Sequence, residues 1–248
     1  MLSRRVRLPA AVPGASPRER ADCERGKAEP AFRPPSQCRF VGAGLIGYAV
    51  GSILTADLVV KVAARRVAAT PNLRRVGSGN PGAANAFANL GTGWGIGILA
   101  GDIFKGAIAA QAGRVLAGDA GGYLAASAAV AGHCFPIWSR FRGGKGVATS
   151  AGTTLVAFPA YVPIDLGLVG VSFFASKHAA RATAVASSAF VMAAFVWRWR
   201  RWPNLWGTKP TWGLPAYAVA TTSMIAYRFL TSPRHMGDAG TAAGAERR

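Results

Sequence analysis

The sequence predicts an all-α polytopic membrane protein with about seven transmembrane helices and Gly-rich loops on one side. Of its 248 residues, 51% are apolar and 16% are charged, whereas a soluble domain averages roughly 25% charged residues. The net charge of +19 is concentrated in a few segments between apolar runs. These features exclude an ordinary soluble enzyme and a disordered basic chain. Because the apolar runs are long enough to span a bilayer, they favour a membrane protein over a nucleic-acid binder.

Residues 1–39 are basic and proline-rich and have no apolar periodicity, which predicts a disordered N-terminal extension. They contain no apolar stretch typical of a signal peptide. Two interpretations stay open, a dispensable leader and a polybasic segment attracted to anionic lipid. The expected organisation is this extension, a transmembrane domain over 40–230, and a disordered tail over 231–248.

The apolar segments of the transmembrane domain follow one another with short polar breaks. The first is mostly apolar and carries Asp57 near one end. The two segments divided near Pro159 could be one span, which would leave six. Tryptophans stand at or near several segment ends, as amphipathic rings do at a membrane interface. The seven predicted spans are 40–60, 94–116, 121–138, 146–159, 160–175, 182–197 and 211–229.

The lysines and arginines indicate an orientation. Beyond residue 39, most of them fall in the loops at 61–93 and 139–146, around 177–181, and towards the C-terminus. The positive-inside rule therefore places the loops at 61–93 and 139–146 in the cytoplasm. The nine basic residues of 1–39 would then lie outside, against the rule.

Neither the three cysteines nor the three histidines are spaced as metal ligands. The sequence therefore predicts no metal site, no disulfide framework and no cofactor.

The first unusual loop is residues 73–85, which read LRRVGSGNPGAAN. Gly77 and Gly79 flank Ser78, and Arg74 stands just before them. Glycine adopts positive φ without a steric clash, so successive backbone N–H groups can converge on an anion. This pattern indicates a phosphate site, although short Gly-Ser-Gly stretches are also common in ordinary loops.

The second unusual loop runs from Gly132-His133 to the RGGKGVAT segment at 142–149. If the fourth span begins near Gly146, Lys145 lies at a helix N-terminus, where the dipole favours a phosphate. The segment is not a Walker A motif. Ser139 stands where that motif has its first glycine, and Gly146 stands where it has a Ser or Thr. Two such loops on one face predict either two bound phosphates or one phosphate held from both sides, without nucleotide hydrolysis.

Two ionisable residues fall inside the second predicted span. Asp102 and Lys105 are three residues apart, so they share a helix face and can pair. Intramembrane charges are functional candidates, and both a structural pair supporting the loops and a direct substrate contact stay open. Ser52 is either a packing residue or a ligand, and Asp57 and Asp165 are expected to cap or orient loops.

Several catalytic arrangements are missing from the sequence. No His is followed by Asp five positions later, no Gly-x-Ser-x-Gly elbow is present, and no loop carries paired carboxylates. Any reaction must then use a substrate activated in advance, with the protein supplying positioning and charge stabilisation.

From Gly51 to Arg228 the sequence resembles the PlsY family of bacterial acyl-phosphate:glycerol-3-phosphate acyltransferases. The resemblance is carried by a Gly-Ser pair in the first span, the loop at 73–85, the DIFKG run at 102–106, and the segment at 132–149. It implies a seven-helix protein of the bacterial plasma membrane that transfers an acyl chain from acyl phosphate to the 1-hydroxyl of glycerol 3-phosphate. The product is lysophosphatidic acid, for phospholipid synthesis.

The resemblance also implies roles for individual residues. The partners would be acyl phosphate, glycerol 3-phosphate and membrane lipids, with no nucleic acid and no cofactor. Lys145 would stabilise the leaving phosphate, and Ser78 would act beside it. Residues expected to bind substrate are Arg74, Gly77, Gly79, Asn80, Asn85, Gly143, Gly144 and Gly146, and those expected to support them are Ser52, Asp102, Lys105 and His133.

The sequence departs from the family at the expected acceptor site. Ala84 replaces a Thr, Ala88 replaces the glycerol-phosphate-binding Arg, Phe229 replaces a His, and Ser232 replaces an Asn. The acyl-phosphate half therefore looks intact and the acceptor half altered, with Arg74, Arg75 or Arg228 able to compensate. The alternatives are a divergent member using another acceptor and a non-catalytic membrane protein that binds phospholipid or phosphate.

Overall fold

The computed structural model describes residues 36–66, 70–176 and 179–232, and these contain helices, turns and loops but no strand. The expected disorder of residues 1–35 and 233–248 lies outside the described residues. The first helix begins at Gln37, slightly before the predicted domain start, and the last ends at Thr231.

Eight helices and two short 3₁₀ turns make up the regular structure of the described residues. The 3₁₀ turns are Ile137–Ser139 and Pro159–Tyr161. The helices are α1 Gln37–Ser52, α2 Thr55–Ala63, α3 Ala83–Asn89, α4 Thr92–Cys134, α5 Val147–Ala157, α6 Val162–Ser176, α7 Ala179–Arg200 and α8 Gly213–Thr231.

The long helix α4 is two antiparallel helices joined by a tight turn. Ala117 and Gly118 leave helical geometry, and Gly118 has a φ of 67°. The two halves then fold back on each other so closely that a Cβ on Gly113 would collide with Gly121 and Ala125. This turn confirms the predicted boundary between the second and third spans.

Helices α5 to α8 match the last four predicted spans, and the all-helical fold is confirmed. By length and composition alone, Gln37–Ala63 and Ala180–Arg200 can each cross a membrane. The pair Val147–Ala157 and Pro159–Leu168 adds a third candidate if it counts as one span, although it bends by 114°. That bend supports the predicted division near Pro159.

The first span differs from the continuous helix that the sequence predicts. Ile53 and Leu54 are extended, with ψ near 104° and 110°, and separate α1 from α2. The break has a physical cause, since the Ile53 carbonyl accepts a hydrogen bond from the Lys105 ammonium at 2.9 Å.

Small residues hold α1 against the second half of α4. Gly47 and Gly51 contact the backbone of Ala125 and Ala129, where a Cβ would collide with the carbonyl oxygens. Such close approach is the usual basis of helix packing in lipid, because the surrounding solvent supplies no hydrophobic driving force. It places the C-terminal ends of α1 and α4 side by side.

Helices α5 to α8 pack around an aromatic cluster made of Phe158, Tyr161, Phe190 and Tyr217. The Tyr217 and Thr153 hydroxyls lie 2.7 Å apart and link α8 to α5. Large apolar side chains cover the outside; Leu230, for example, is 83% exposed. Exposed apolar surface on this scale is suited to lipid.

The loops lie at two opposite ends of the helices. Arg228, near the end of α8, contacts the loop that precedes α5. The segment 201–212, which precedes α8, contacts the last turn of α5. The Gly-rich loops therefore occupy one end of the bundle, and the α7–α8 loop occupies the other.

Candidate functional site

The second Gly-rich loop leads directly into an uncapped helix N-terminus. Gly146 has a φ of 83° and precedes α5, and no side chain caps the helix. The first intrahelical bond runs from Ser150 N–H to the Gly146 carbonyl. The N–H groups of residues 147–149 are therefore not used within the helix. An anion at this end would meet both these donors and the positive end of the dipole.

Two side chains fix the Gly143-Gly144 backbone. The Arg228 guanidinium donates to the Gly143 carbonyl at 2.7 Å and to the Gly144 carbonyl at 3.1 Å. The Gly144 N–H donates to the His133 carbonyl, and the His133 ring packs where a Gly144 Cβ would stand. Both positions therefore require glycine for close approach. Arg228 has a structural task that the family resemblance did not assign to it.

Lys145 lies between this backbone and α8. Its ammonium stands 4.2 Å from the centre of the Phe229 ring, a cation–π distance. Phe229 occupies the position where the family has His. The departure identified in the sequence thus contacts the predicted catalytic lysine directly.

The first Gly-rich loop is organised by one buried side chain, Asn85. Its amide nitrogen donates to the carbonyls of Leu73, Val76 and Asn80 at 2.8, 3.1 and 3.1 Å. Its amide oxygen accepts from the Ser78 N–H at 3.2 Å. Gly77 and Gly79 have φ of 56° and 65°, so the tight turn requires glycine there. Asn85 holds the loop in shape, a task distinct from the phosphate contact that the resemblance implies.

We expect Asn85→Asp to disorder this loop. A carboxylate cannot donate, so three carbonyls lose the Asn85 amide; two of them keep a backbone N–H partner, and among the described residues the Leu73 carbonyl is left without one, at roughly 1–3 kcal/mol. Amide hydrogen exchange of residues 73–80 should accelerate, and acyl-transfer activity should fall. Asn72→Asp is the matched control, because Asn72 only accepts, from the Arg74 N–H at 3.0 Å. Equal exchange rates in the two variants would contradict this role for Asn85.

Arg74 and the α2 residue Asp57 link the two Gly-rich loops. The Arg74 guanidinium donates to both Asp57 carboxylate oxygens at 2.5 and 3.1 Å and to the Arg142 carbonyl at 3.3 Å. Ser139 also donates to Asp57 at 2.9 Å. The expectation that Asp57 orients loops is confirmed. The Arg74 guanidinium is used in these contacts.

The predicted pair in the membrane is part of a larger buried cluster. Lys105 stands 2.7 Å from the Asp102 carboxylate and 2.8 Å from His133 Nδ1. Its third proton goes to the Ile53 carbonyl, and the Thr55 hydroxyl donates to Asp102 at 3.0 Å. Asp102, Lys105 and His133 are each less than 9% exposed.

The contacts of this cluster favour a supporting role. A lysine ammonium has three protons, and Lys105 has three acceptors within 2.9 Å. Because Lys105 donates to Nδ1, we infer that neutral His133 carries its proton on Nε2, next to Gly144. The cluster thus ties the break after α1 to the second Gly-rich loop, which favours the structural alternative over direct substrate contact.

Two further predicted residues have buried polar atoms. Within the described part of the chain, Ser52 Oγ and Asn80 Oδ1 have no hydrogen-bond partner. Ser52 lies against Gly132, so its position is that of a packing residue beneath the loop. Asn80 lies in the first loop, where an unpaired acceptor suits a donor from a ligand.

Sequence reasoning missed the roles of Tyr48, Thr55 and Ser139. Tyr48 donates to the Phe135 carbonyl at 2.7 Å and so holds the start of the second loop. These are single hydroxyls with distant partners, and no local pattern marks them. Among the residues that the structure describes, no group of three or more His, Cys, Asp or Glu could hold a metal ion.

Comparisons with known proteins agree with this arrangement. The family model for glycerol-3-phosphate acyltransferase matches residues 41–237. The chain belongs to the glycerol-3-phosphate acyltransferase family. The match covers both Gly-rich loops, the buried cluster and Arg228.

Curated members of the family include close matches in sequence. Glycerol-3-phosphate acyltransferase 1 of Moorella thermoacetica is 38% identical over 159 residues, covering 64% of this chain and 77% of that protein. The glycerol-3-phosphate acyltransferase of Gloeobacter violaceus is 33% identical over 198 residues, covering 69% of this chain and 96% of that protein.

The fold matches crystal structures of PlsY (YgiH), an integral membrane glycerol 3-phosphate acyltransferase. Its glycerol 3-phosphate form aligns with a TM-score of 0.63 and 24% identity, covering 82% of this chain and 98% of that chain. Its lysophosphatidic acid form aligns with a TM-score of 0.60 and 22% identity, covering 84% and 94%. The chain is therefore an integral membrane protein of this family and fold.

Proposed function

We propose that this protein transfers an acyl chain from acyl phosphate to the 1-hydroxyl of glycerol 3-phosphate, giving lysophosphatidic acid and inorganic phosphate. The observation that carries the proposal is the uncapped N-terminus of α5 beside Lys145, linked through Arg74 to the first Gly-rich loop. Two anion-binding loops at one end of the bundle suit a reaction in which both substrates carry phosphate. The relatives' names supply the acceptor, and the PlsY resemblance supplies the donor.

The reaction needs no nucleophile from the protein, because an acyl phosphate is a mixed anhydride. The acceptor hydroxyl oxygen attacks the acyl carbon, the bond from that carbon to the phosphate oxygen breaks, and a phosphate oxygen takes the hydroxyl proton. Lys145 and the N–H groups at the start of α5 stabilise the charge that develops on the departing phosphate. Ser78, Gly79 and Asn80 contribute the first Gly-rich loop to the substrate site.

We place the protein in the bacterial plasma membrane with both Gly-rich loops in the cytoplasm. The positive charges of the loops at 61–93 and 139–146 support this orientation. Polar phosphorylated substrates would reach the loops from that side, and the acyl chain would lie along lipid.

The test is transfer of radiolabelled palmitoyl phosphate in proteoliposomes with glycerol 3-phosphate as acceptor. Lysophosphatidic acid is the expected product. A panel of other phosphorylated and unphosphorylated alcohols separates the alternatives. Product from another alcohol alone would support the divergent acceptor. Palmitoyl phosphate binding without product from any acceptor would support the non-catalytic alternative.

Ala88→Arg is expected to improve acceptor binding if glycerol 3-phosphate is the substrate. Ala88 is exposed on α3, so the longer side chain fits without repacking. A regained charge-assisted hydrogen bond is worth about 1.5–3 kcal/mol, which is a fall in KM for glycerol 3-phosphate of roughly tenfold or more. Ala64→Arg adds the same charge on an exposed position near the same loops and serves as the control. An equal fall in both variants would show general attraction, not a specific site.

A further inference from the structure

The loop between α7 and α8 forms a groove at the opposite end of the bundle from the Gly-rich loops. The groove has a volume of about 650 Å³ and is lined by residues 201–205 and 207–212 together with Arg198. Its charged lining residues are Arg198, Arg201 and Lys209, and no acidic residue lines it. Trp202 and Trp212 add aromatic surface.

The loop is built as a rigid structure. The Asn204 amide donates to the carbonyls of Ala157 and Thr208 at 2.9 and 2.7 Å, and Trp206 donates to the Leu155 carbonyl at 3.0 Å. Together with bonds from Thr208 to the carbonyls of Val156 and Ala157, they satisfy the last carbonyls of α5. The Arg114 guanidinium donates to the carbonyls of Trp206 and Gly207 at 2.7 and 3.1 Å.

Two of the described residues that line the groove have a buried polar atom without a hydrogen-bond partner. In the described residues, the buried Arg198 Nε and Asn204 Oδ1 have no hydrogen-bond partner, and Asn204 is only 5% exposed. The Arg198 guanidinium lies 5.1 Å from the centre of the Trp212 ring, which holds its orientation. Buried polar atoms without partners are rare in folded proteins.

The loop also has unfavourable backbone geometry. Arg201 and Leu205 have φ of 52° and 49°, which is uncommon for residues other than glycine. Such strain occurs at ligand-binding sites more often than elsewhere. Both residues line the groove, and Leu205 is 65% exposed.

We propose that this groove binds the headgroup of an anionic phospholipid. The three cations that line the groove complement the negative charge of a phosphate diester. A lipid is the source because the groove lies at the end of membrane helices, where exposed Trp206 and Leu205 can contact acyl chains. The site is separate from the proposed catalytic loops. It also explains the cations at the end of the bundle opposite the Gly-rich loops.

The experiment is native mass spectrometry of the purified full chain with phosphatidylglycerol or phosphatidylcholine of the same acyl chains. We expect selective retention of phosphatidylglycerol. The triple variant Arg198→Gln, Arg201→Gln, Lys209→Gln removes the three cations. We expect phosphatidylglycerol binding to weaken by roughly fivefold for each cation removed. Arg200→Gln is the matched control, since Arg200 stacks on Trp199 and does not line the groove.

Three results would overturn the proposal. They are equal retention of both lipids by the wild type, unchanged selectivity in the triple variant, and displacement of phosphatidylglycerol by equimolar inorganic phosphate or glycerol 1-phosphate. The wild-type measurement stands even if the triple variant does not fold. Because the readout is lipid binding, it is independent of acyl transfer.

Discussion

Lys145→Met should lower the acyl-transfer rate by about two to three orders of magnitude, the loss typical of removing one preorganised donor to a developing negative charge. The methionine keeps most of the length of the side chain and can still pack against the Phe229 ring without the cation–π contact, so the fold should persist. The N–H groups at the start of α5 stay in place and should sustain residual transfer. The measurement is the initial rate in proteoliposomes at saturating palmitoyl phosphate.

Two further variants sharpen this expectation. Lys145→Arg keeps the charge and should retain much more activity than Lys145→Met. Lys61→Met removes a cation from an exposed position on α2 and should leave the rate near that of the wild type. Unchanged transfer in Lys145→Met would remove this side chain from the mechanism. A similar loss in Lys61→Met would show that only the overall charge at this end matters.

Asp102→Ala should strongly destabilise the folded protein. It leaves the Lys105 ammonium buried beside His133 without a counter-ion, and breaking a buried pair in this way costs about 3–5 kcal/mol. Thr55 also loses its acceptor. Thermal unfolding in detergent should show a large fall in Tm, accompanied by loss of order in both Gly-rich loops.

The double variant Asp102→Asn with Lys105→Met tests whether the charge imbalance is the cause. It removes both charges, and we expect part of the stability to return. Asp119→Asn is the control, because the Arg114–Asp119 pair is partly exposed at 30% and 25% and such pairs contribute about 0–1 kcal/mol. A double variant no more stable than Asp102→Ala would mean that hydrogen bonds, not charge balance, hold the cluster.

Much of the fold was predictable because membrane spans follow local rules. The length of each apolar run sets the span, and glycine or proline marks its end, as Gly118 and Pro159 do here. The break at Ile53 was not predictable, since its cause is Lys105, a residue 52 positions away in the chain. A carbonyl diverted to a distant ammonium leaves no pattern in the neighbouring sequence.

The candidate site, too, was predictable from the sequence only in part. Its glycines and cations form recognisable motifs because an anion site needs small backbone-exposing residues next to positive charge. The motifs could not separate residues that hold the loops from residues that face substrate. Asn85, Arg74 and Arg228 resemble ligands in sequence, yet in the structure they bind backbone carbonyls or Asp57.

The membrane class, most of the spans, the two Gly-rich loops and the family were all evident in the amino-acid sequence. These depend on composition and on contacts between residues close in the chain. Three features emerged only from the packed helices: how Lys105 distributes its three protons, the contact of Phe229 with Lys145, and the cationic groove of the α7–α8 loop. Each of these depends on side chains from distant helices meeting in space, and hydrogen-bond geometry and burial exist only once the helices have packed.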